Sequence, residues 1–390
     1  MWRMLISNIG LLVTNNPAHD GTPLGIIKNA ALVIENGVIS WVGSNSEAAK
    51  SDFKNSIDAR GNCVIPGFVD SHSHIIFAGD RSDEFRARMK GEKYSAGGIN
   101  STVALTRAST NQELLSNAHR ILAEANSTGT TTLEIKSGYG LTVKDEARSL
   151  EIASSLTEET TFLGAHVVPL EFQNDFEGYV ELVCGEMLDA IKPHAKWIDV
   201  FCDKGAFTPD QTRKILKAGI AKGLMPRLHA NQLEAGEGIK IGVELDAASV
   251  DHVSHISEHD ISLLSKSNTV ATILPGAEFS TRSKYLDARP LFEAEINIAL
   301  ASDCNPGSSY TSNMQFIMAL AVREFFFSPE QALWSATMGG AKALRRTDIG
   351  HLGVGASADF SILKTPSYIH IAYRPGVQLI EEVWRRGNRI

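Results

Sequence analysis

A chain of 390 residues with 43% hydrophobic side chains holds enough apolar material for one large domain and a smaller appendage. Its net charge of -8 offers no basic field to phosphates or anionic lipid, so no nucleic acid and no membrane is expected as a partner, and any anionic ligand must meet a local cation. No run is long and apolar enough to span a bilayer, the opening stretch to Val13 has no signal-peptide pattern, and the four cysteines, Cys63, Cys184, Cys202 and Cys304, contain no C-x-x-C pair; free thiols in a cytoplasmic protein are the reading.

The first sixty residues read as strands. Ala30-Leu-Val-Ile and Val38-Ile-Ser-Trp-Val flank Glu35-Asn36-Gly37, a two-residue hairpin signal. Eight short β-branched or apolar runs follow, beginning at Val64, Thr131, Thr161, Trp197, Met225, Ser249, Val270 and Ile298. Helical patterns lie between and after them at 111–126, 143–156, 209–222 and 329–344, the last two opening on Pro209 and Pro329, where a missing N–H costs nothing. This alternation predicts an α/β chain with a parallel sheet; eight units suit a closed (β/α)8 TIM barrel, with a doubly wound open sheet as the alternative. After the last helix, Gly355-Ala-Ser-Ala-Asp-Phe-Ser-Ile-Leu reads as a turn entering a strand, and the stretch from Val383 as a strand broken at a glycine turn. Both chain ends are expected in one small β-domain, with boundaries at 1–63, 64–350 and 351–390.

Polar residues gather at the C-terminal ends of the predicted strands, the face that builds active sites in a barrel. His72-Ser-His74 ends the first strand, His229 the fifth, His252 the sixth and Asp303 the eighth. Residues two apart on a strand point the same way, so His72 and His74 can reach one ion. An isolated His-x-His is more often a structural pair. Three imidazoles and a carboxylate on strand ends are a donor set for Zn2+ or Fe2+/Fe3+ that leaves one position for water.

Several stretches carry a resemblance: Pro66-Gly-Phe-Val-Asp-Ser-His-Ser-His, Gly79-Asp-Arg, Glu134-Ile-Lys-Ser-Gly-Tyr-Gly-Leu, Gly164-Ala-His-Val-Val-Pro, Asp199-Val-Phe-Cys-Asp-Lys-Gly-Ala-Phe and Asp303-Cys-Asn-Pro-Gly-Ser-Ser. Over nearly its whole length the chain resembles the amidohydrolase superfamily, and within it the branch that opens the cyclic amide of an imidazolone ring. The resemblance implies a barrel with a β-sandwich built from both chain ends. It also implies one divalent metal held by His72, His74, His229 and Asp303, with His252 beside the metal water. Lys204, just past the fourth strand, stays open as a bridge to a second metal by spacing, whereas the resemblance implies one metal; Lys136 reads as structural.

The implied substrate is a small anionic heterocycle with a carboxylate tail. Arg81 is the candidate cation, since a guanidinium grips a carboxylate through two parallel hydrogen bonds; otherwise it is a surface arginine paired with Asp80 or Asp83. The resemblance places Tyr139 and His166 at the substrate, where each alone reads as a packed core residue. Asn305, Gly307 and Ser308 form a loop whose backbone N–H groups and hydroxyl can cradle a carboxylate, or are simply a turn. Gln232, three residues after His229, stands where related deaminases place a glutamate; an amide cannot shuttle protons but can bond a ring N–H or carbonyl. Asp303 or His252 takes the proton of the attacking water. Cys304 reads as a small buried residue. A deaminase, a two-metal cyclic amidase and a non-catalytic metabolite-binding barrel are the competing readings. A homodimer is compatible with such an enzyme.

Overall fold

The structure is a computed structural model that describes residues 3–48, 53, 55–91 and 98–390. The chain divides into two compact units, one made of the residues up to Asp70, Ala123–Thr132 and Asn313–Ile390, the other of Ser71–Leu122 and Leu133–Ser312.

In the first unit both chain ends enter one sheet, in the order Asn388–Arg389, Ile380–Arg385, Phe360–Leu363, Cys63–Pro66, Arg3–Val13, Ile26–Glu35, Val38–Ser44, with Asn55–Asp58 also paired to Arg3–Val13. The expected hairpin forms at Asn36 and Gly37, both at positive φ (51° and 83°), as a two-residue turn of this type requires. Period-two alternation gives the sheet two apolar faces: Ile6, Leu32, Ile34, Val64, Phe360 and Ile362 pack on one, Leu5, Ala31 and Val33 on the other. The C-terminal turn falls at Arg386 and Gly387, again at positive φ.

One expectation is corrected here. The run from Val64 to Asp70 is not a single strand: Cys63–Pro66 pairs with Arg3–Val13 and Phe360–Leu363, and the chain then turns at Gly67 into the short strand Phe68–Asp70. Gly67 packs against Thr131, where a Cβ would collide with the threonine side chain. The expected helix at 329–344 runs as Pro329–Trp334, a π-helical turn Ser335–Gly339, and Gly340–Ala343.

The second unit carries the parallel sheet. Its strands follow chain order: Ile135–Lys136, Thr160–Ala165, Trp197–Cys202, Leu228–Ala230, Ser249–His252, Val270–Ile273 and Ile298–Leu300, with Met225–Pro226 also beside Trp197–Cys202. The helices Val143–Leu156 and Pro209–Ala221 stand where their patterns placed them, the latter opening with Pro209 behind a Thr208–Gln211 capping box. Gly219 sits so close to Ile198 that a Cβ has no room, which lets helix and strand meet. The segment after Asp70 lies between two strand ends: Lys136 N–H donates to Ser73 O at 2.9 Å, while His74 N–H donates to Cys304 O at 2.9 Å and Asp303 N–H to His72 O at 3.0 Å. All four cysteines are free thiols, and Cys304 is buried. Among the described residues no helix is long and apolar enough to cross a membrane.

Candidate active site

His72 and His74, separated by one residue, bring their Nε2 atoms to 3.1 Å of each other. His229, on strand Leu228–Ala230, places its Nε2 3.4 Å from that of His74, and Asp303 Oδ1 lies 3.5 Å from the Nε2 of both His72 and His74. Ligand atoms about 2.0–2.1 Å from a tetrahedral ion stand roughly 3.3 Å apart, a spacing that His72, His74 and Asp303 show among themselves and His229 shows toward His74. His252 ends its strand within the same cluster, a ring nitrogen grouped with those of His72 and His229 inside 4.8 Å. Burial, reinforced by neighbouring cations, pushes the His72, His74 and His252 imidazoles well below their ordinary pKa, so they are neutral, as metal ligation requires. Burial likewise raises the Asp303 carboxyl well above the usual range; a cation among the imidazoles opposes that direction.

Beneath this cluster lies a buried charge network that sequence reasoning missed. His72 Nδ1 is 2.7 Å from Asp251 Oδ2 and His229 Nδ1 is 2.9 Å from Asp199 Oδ2, which fixes both rings with Nε2 toward the cluster. Lys136 ties the two carboxylates together: its Nζ lies 2.9 Å from Asp199 and 4.0 Å from Asp251, and donates to Glu134 at 3.0 Å. Arg227 reaches Asp251 at 3.3 Å and Ser71 O at 2.6 Å. Glu134 accepts the Ser73 N–H at 3.1 Å and the Thr161 hydroxyl. Two cations thus face three carboxylates, all fully buried, leaving one negative charge under the site. Burial alone would raise Asp199, but His229 and Lys136 hold it well below the usual carboxylate range; Asp251 is lowered by Arg227 and Lys136 against the same penalty. A charged residue inside an otherwise apolar strand, as in Trp197-Ile-Asp-Val-Phe, was the available signal, since a buried charge must be paired.

Above the cluster opens a cavity. Arg81, Tyr139, His166, Gln232, Asn305 and Ser308 line it together with His74, His229, His252 and Asp303, so nearly all the residues singled out in the sequence meet in one place. His166 Nδ1 lies 3.0 Å from Gly138 O, so that nitrogen carries the proton and Nε2 is the acceptor. Burial holds His166 down to about 3, and its ring stacks on His74 with centroids 5.4 Å apart.

Three expectations are revised. Arg81 Nε and Nη2 donate to Glu84 at 2.9 and 2.6 Å, so one edge of the fork is fixed by a carboxylate sequence reasoning did not name. Gly307 lies against Arg81, where a Cβ would collide with the guanidinium. The expected backbone cradle of the 305–308 loop is turned inward, because Asn305 Oδ1 accepts the N–H groups of Gly307 and Ser308 at 2.8 Å each. What the loop offers the cavity is side chains, with the Ser308 hydroxyl 3.3 Å from Asp303 Oδ2. Lys204 is exposed and paired with Glu234 at 3.1 Å, away from the histidine cluster, which removes it as a bridging ligand. Asn231, His252, Val253 and Asp303, near the cluster, take positive φ (55°, 78°, 50° and 50°), which for the β-branched Val253 is a genuine outlier.

The amidohydrolase family matches residues 63–390, and the chain belongs to that family. It is 58% identical over 388 residues to an imidazolonepropionase of Mycolicibacterium smegmatis, covering 100% of this chain and 98% of the relative. An imidazolonepropionase of Streptomyces avermitilis is 56% identical over 399 residues, covering 99% and 96%. Among solved structures, guanine deaminase from C. acetobutylicum with bound guanine aligns with a TM-score of 0.75 and 17% identity over 100% of both chains. Atrazine chlorohydrolase TrzN from Arthrobacter aurescens TC1 complexed with zinc aligns with a TM-score of 0.71 and 15% identity, covering 99% of this chain and 94% of that one. At these identities the likeness is one of fold.

Proposed function

We propose that this chain is a hydrolase of carbon–nitrogen bonds that opens the cyclic amide of 4-imidazolone-5-propanoate to give N-formimidoyl-L-glutamate, a step of histidine degradation. The observation that carries this is the full-length match, at 58% identity, to an imidazolonepropionase. The cavity supports it by setting a guanidinium, neutral ring-binding groups and the histidine cluster around one small space.

His72, His74, His229 and Asp303 are the proposed ligands of one zinc or iron ion, which when bound supplies a Lewis acid and a water acidic enough to ionise near neutrality. The chain's own groups do the rest. Arg81, on the cavity wall, is the cation for the propionate, with Asn305 and Ser308 beside it and Gly307 keeping the approach clear. Tyr139 packs on the ring, His166 Nε2 accepts a ring N–H, and the Gln232 amide bonds the ring's polar edge. Asp303 or His252 removes the proton of the attacking water, the carbonyl carbon gains the oxygen, and the protonated base returns its proton to the departing ring nitrogen. Water is added across one C–N bond and both nitrogens stay in the product.

We read the parallel strands, joined through Ser73 to Lys136 on one side and Cys304 on the other, as a (β/α)8 TIM barrel over 64–350, and the sheet of both chain ends as a β-sandwich of 1–63 and 351–390. Free thiols support a cytoplasmic location; a homodimer is the proposed assembly. The test is ultraviolet loss of imidazolonepropionate with product mass and an ammonia assay: the product should gain the mass of one water with no ammonia released, and stoichiometric ammonia would overturn the reading in favour of a deaminase.

Arg81→Ala is expected to lower kcat/KM by about 2–5 kcal/mol of lost charge-assisted binding while leaving metal content unchanged. Arg81→Lys should recover only part, since an ammonium cannot reproduce the fork. Unchanged kinetics in both variants would move the carboxylate subsite to the Asn305–Ser308 side of the cavity.

A further inference from the structure

The histidines of the cluster are held in two different ways. Nδ1 of His72 is hydrogen-bonded to the buried Asp251, and that of His229 lies 2.9 Å from the buried Asp199. Nδ1 of His252, like that of His74, is buried with neither a hydrogen-bond nor an ion-pair partner among the described residues, which leaves packing and the backbone to orient its ring. That backbone is unusual: His252 and the next residue, Val253, sit at φ 78° and 50°, where a β-branched side chain is a genuine outlier. Strain of this kind persists only where the surroundings over-determine it.

The surroundings do so at three points. Val253, fully buried, donates its N–H to Ala230 O at 3.1 Å, and His255 is tied to Asn231 in both directions, N–H to O at 2.9 Å and Asn231 Nδ2 to His255 O at 3.1 Å. The third tie is a side-chain bond: Ser254 Oγ donates to Glu278 Oε1 at 2.5 Å. Glu278 is 3% exposed and stands on the helix Pro275–Thr281, which follows the next strand, so the bond fastens the His252 turn to a neighbouring element of the sheet. Burial raises the Glu278 carboxyl to about 7, and a carboxyl in either form has an oxygen that accepts this bond.

We propose that Ser254 and Glu278 are positioning residues for the reaction, a pin that keeps the strained 252–253 turn in place and so aims the His252 imidazole into the cavity. This rests on the proposed role of His252 as acid or base. Misplacing a catalytic group by a fraction of an ångström to about 1 Å costs one to two orders of magnitude in rate.

The experiment compares Ser254→Ala, Ser254→Thr, Glu278→Ala, the Ser254→Ala/Glu278→Ala double variant and His252→Ala in the zinc-loaded protein. Ser254→Ala should lower kcat by about 10-fold with KM and the metal-to-protein ratio unchanged. Ser254→Thr, which keeps the hydroxyl, should restore kcat to within about 3-fold, and the double variant should lose no more than Glu278→Ala alone, because the two residues act as one unit. The 15N resonances of the His252 ring should shift in Ser254→Ala and return in Ser254→Thr, which a loss of stability alone would not produce. A strong loss in His252→Ala beside wild-type kcat and resonances in Ser254→Ala would overturn the pin and leave the role of His252 standing. Wild-type kcat in His252→Ala would instead overturn that role, and the pin with it.

Discussion

Replacing His229 by alanine is expected to strip the protein of its metal and of its turnover. The imidazole's Nε2 lies 3.4 Å from that of His74, which itself stands 3.1 Å from His72 Nε2 and 3.5 Å from Asp303 Oδ1. Its removal also leaves Asp199 buried with Lys136 as its remaining charged neighbour. Loss of an outer carboxylate typically costs about 10–100-fold in metal affinity or activity, so loss of the ligand itself should exceed about 10²-fold in both. Asp199→Asn should fall between wild type and His229→Ala. Metal analysis after dialysis, with turnover measured at saturating metal, separates weak binding from failed chemistry; full activity in a metal-free His229→Ala protein would remove the ligand assignment.

The second large effect is on stability. Lys136→Met should destabilise the metal-free protein by about 3–5 kcal/mol, the usual result of deleting one partner from a buried ionic network. Glu134, Asp199 and Asp251 all lie within 4.0 Å of the Lys136 ammonium, and all are fully buried, so each would be left with an uncompensated share of charge. Lys204→Met is the control: its ion pair with Glu234 is more than half exposed on both sides, and its loss should cost less than about 1 kcal/mol. Urea unfolding of both variants checks this, and equal midpoints would mean that the network is electrostatically idle.

How much of this was legible in the sequence depends on the range over which each residue acts. The hairpin at Asn36-Gly37, the helix behind Thr208-Pro209 and the alternation of strand and helix follow from local rules, and all stand as read. The histidines and Asp303 were visible because strand ends of a parallel sheet converge, whatever the distance along the chain. The break at Gly67 was not, and the Thr131 side chain that leaves room only for glycine there reaches that position only in the folded unit. The same holds for Glu84 against Arg81 and for Asn305 capturing the loop amides: which acceptor wins a donor is decided by geometry that residue types do not contain. The carboxylates under the cluster gave the weaker signal of charges inside apolar strands. Their pairing with Lys136 across three strands had no signature in spacing.

The join around Ser73 has a consequence for how the protein is made. The proposed ligand atoms come from His72 and His74 at one margin of the parallel sheet and from Asp303 at the other, and the backbone bonds of His74 with Cys304 and of Asp303 with His72 bring them together. A ribosome adding about 5–20 residues per second leaves roughly 10–50 s between the emergence of His74 and that of Asp303. Throughout that interval the nascent chain lacks the carboxylate of the proposed ligand set, so that set is complete only late in synthesis. What the chain holds without the ion is the ionic layer around Lys136, whose Asp251 and Asp199 contact the His72 and His229 rings.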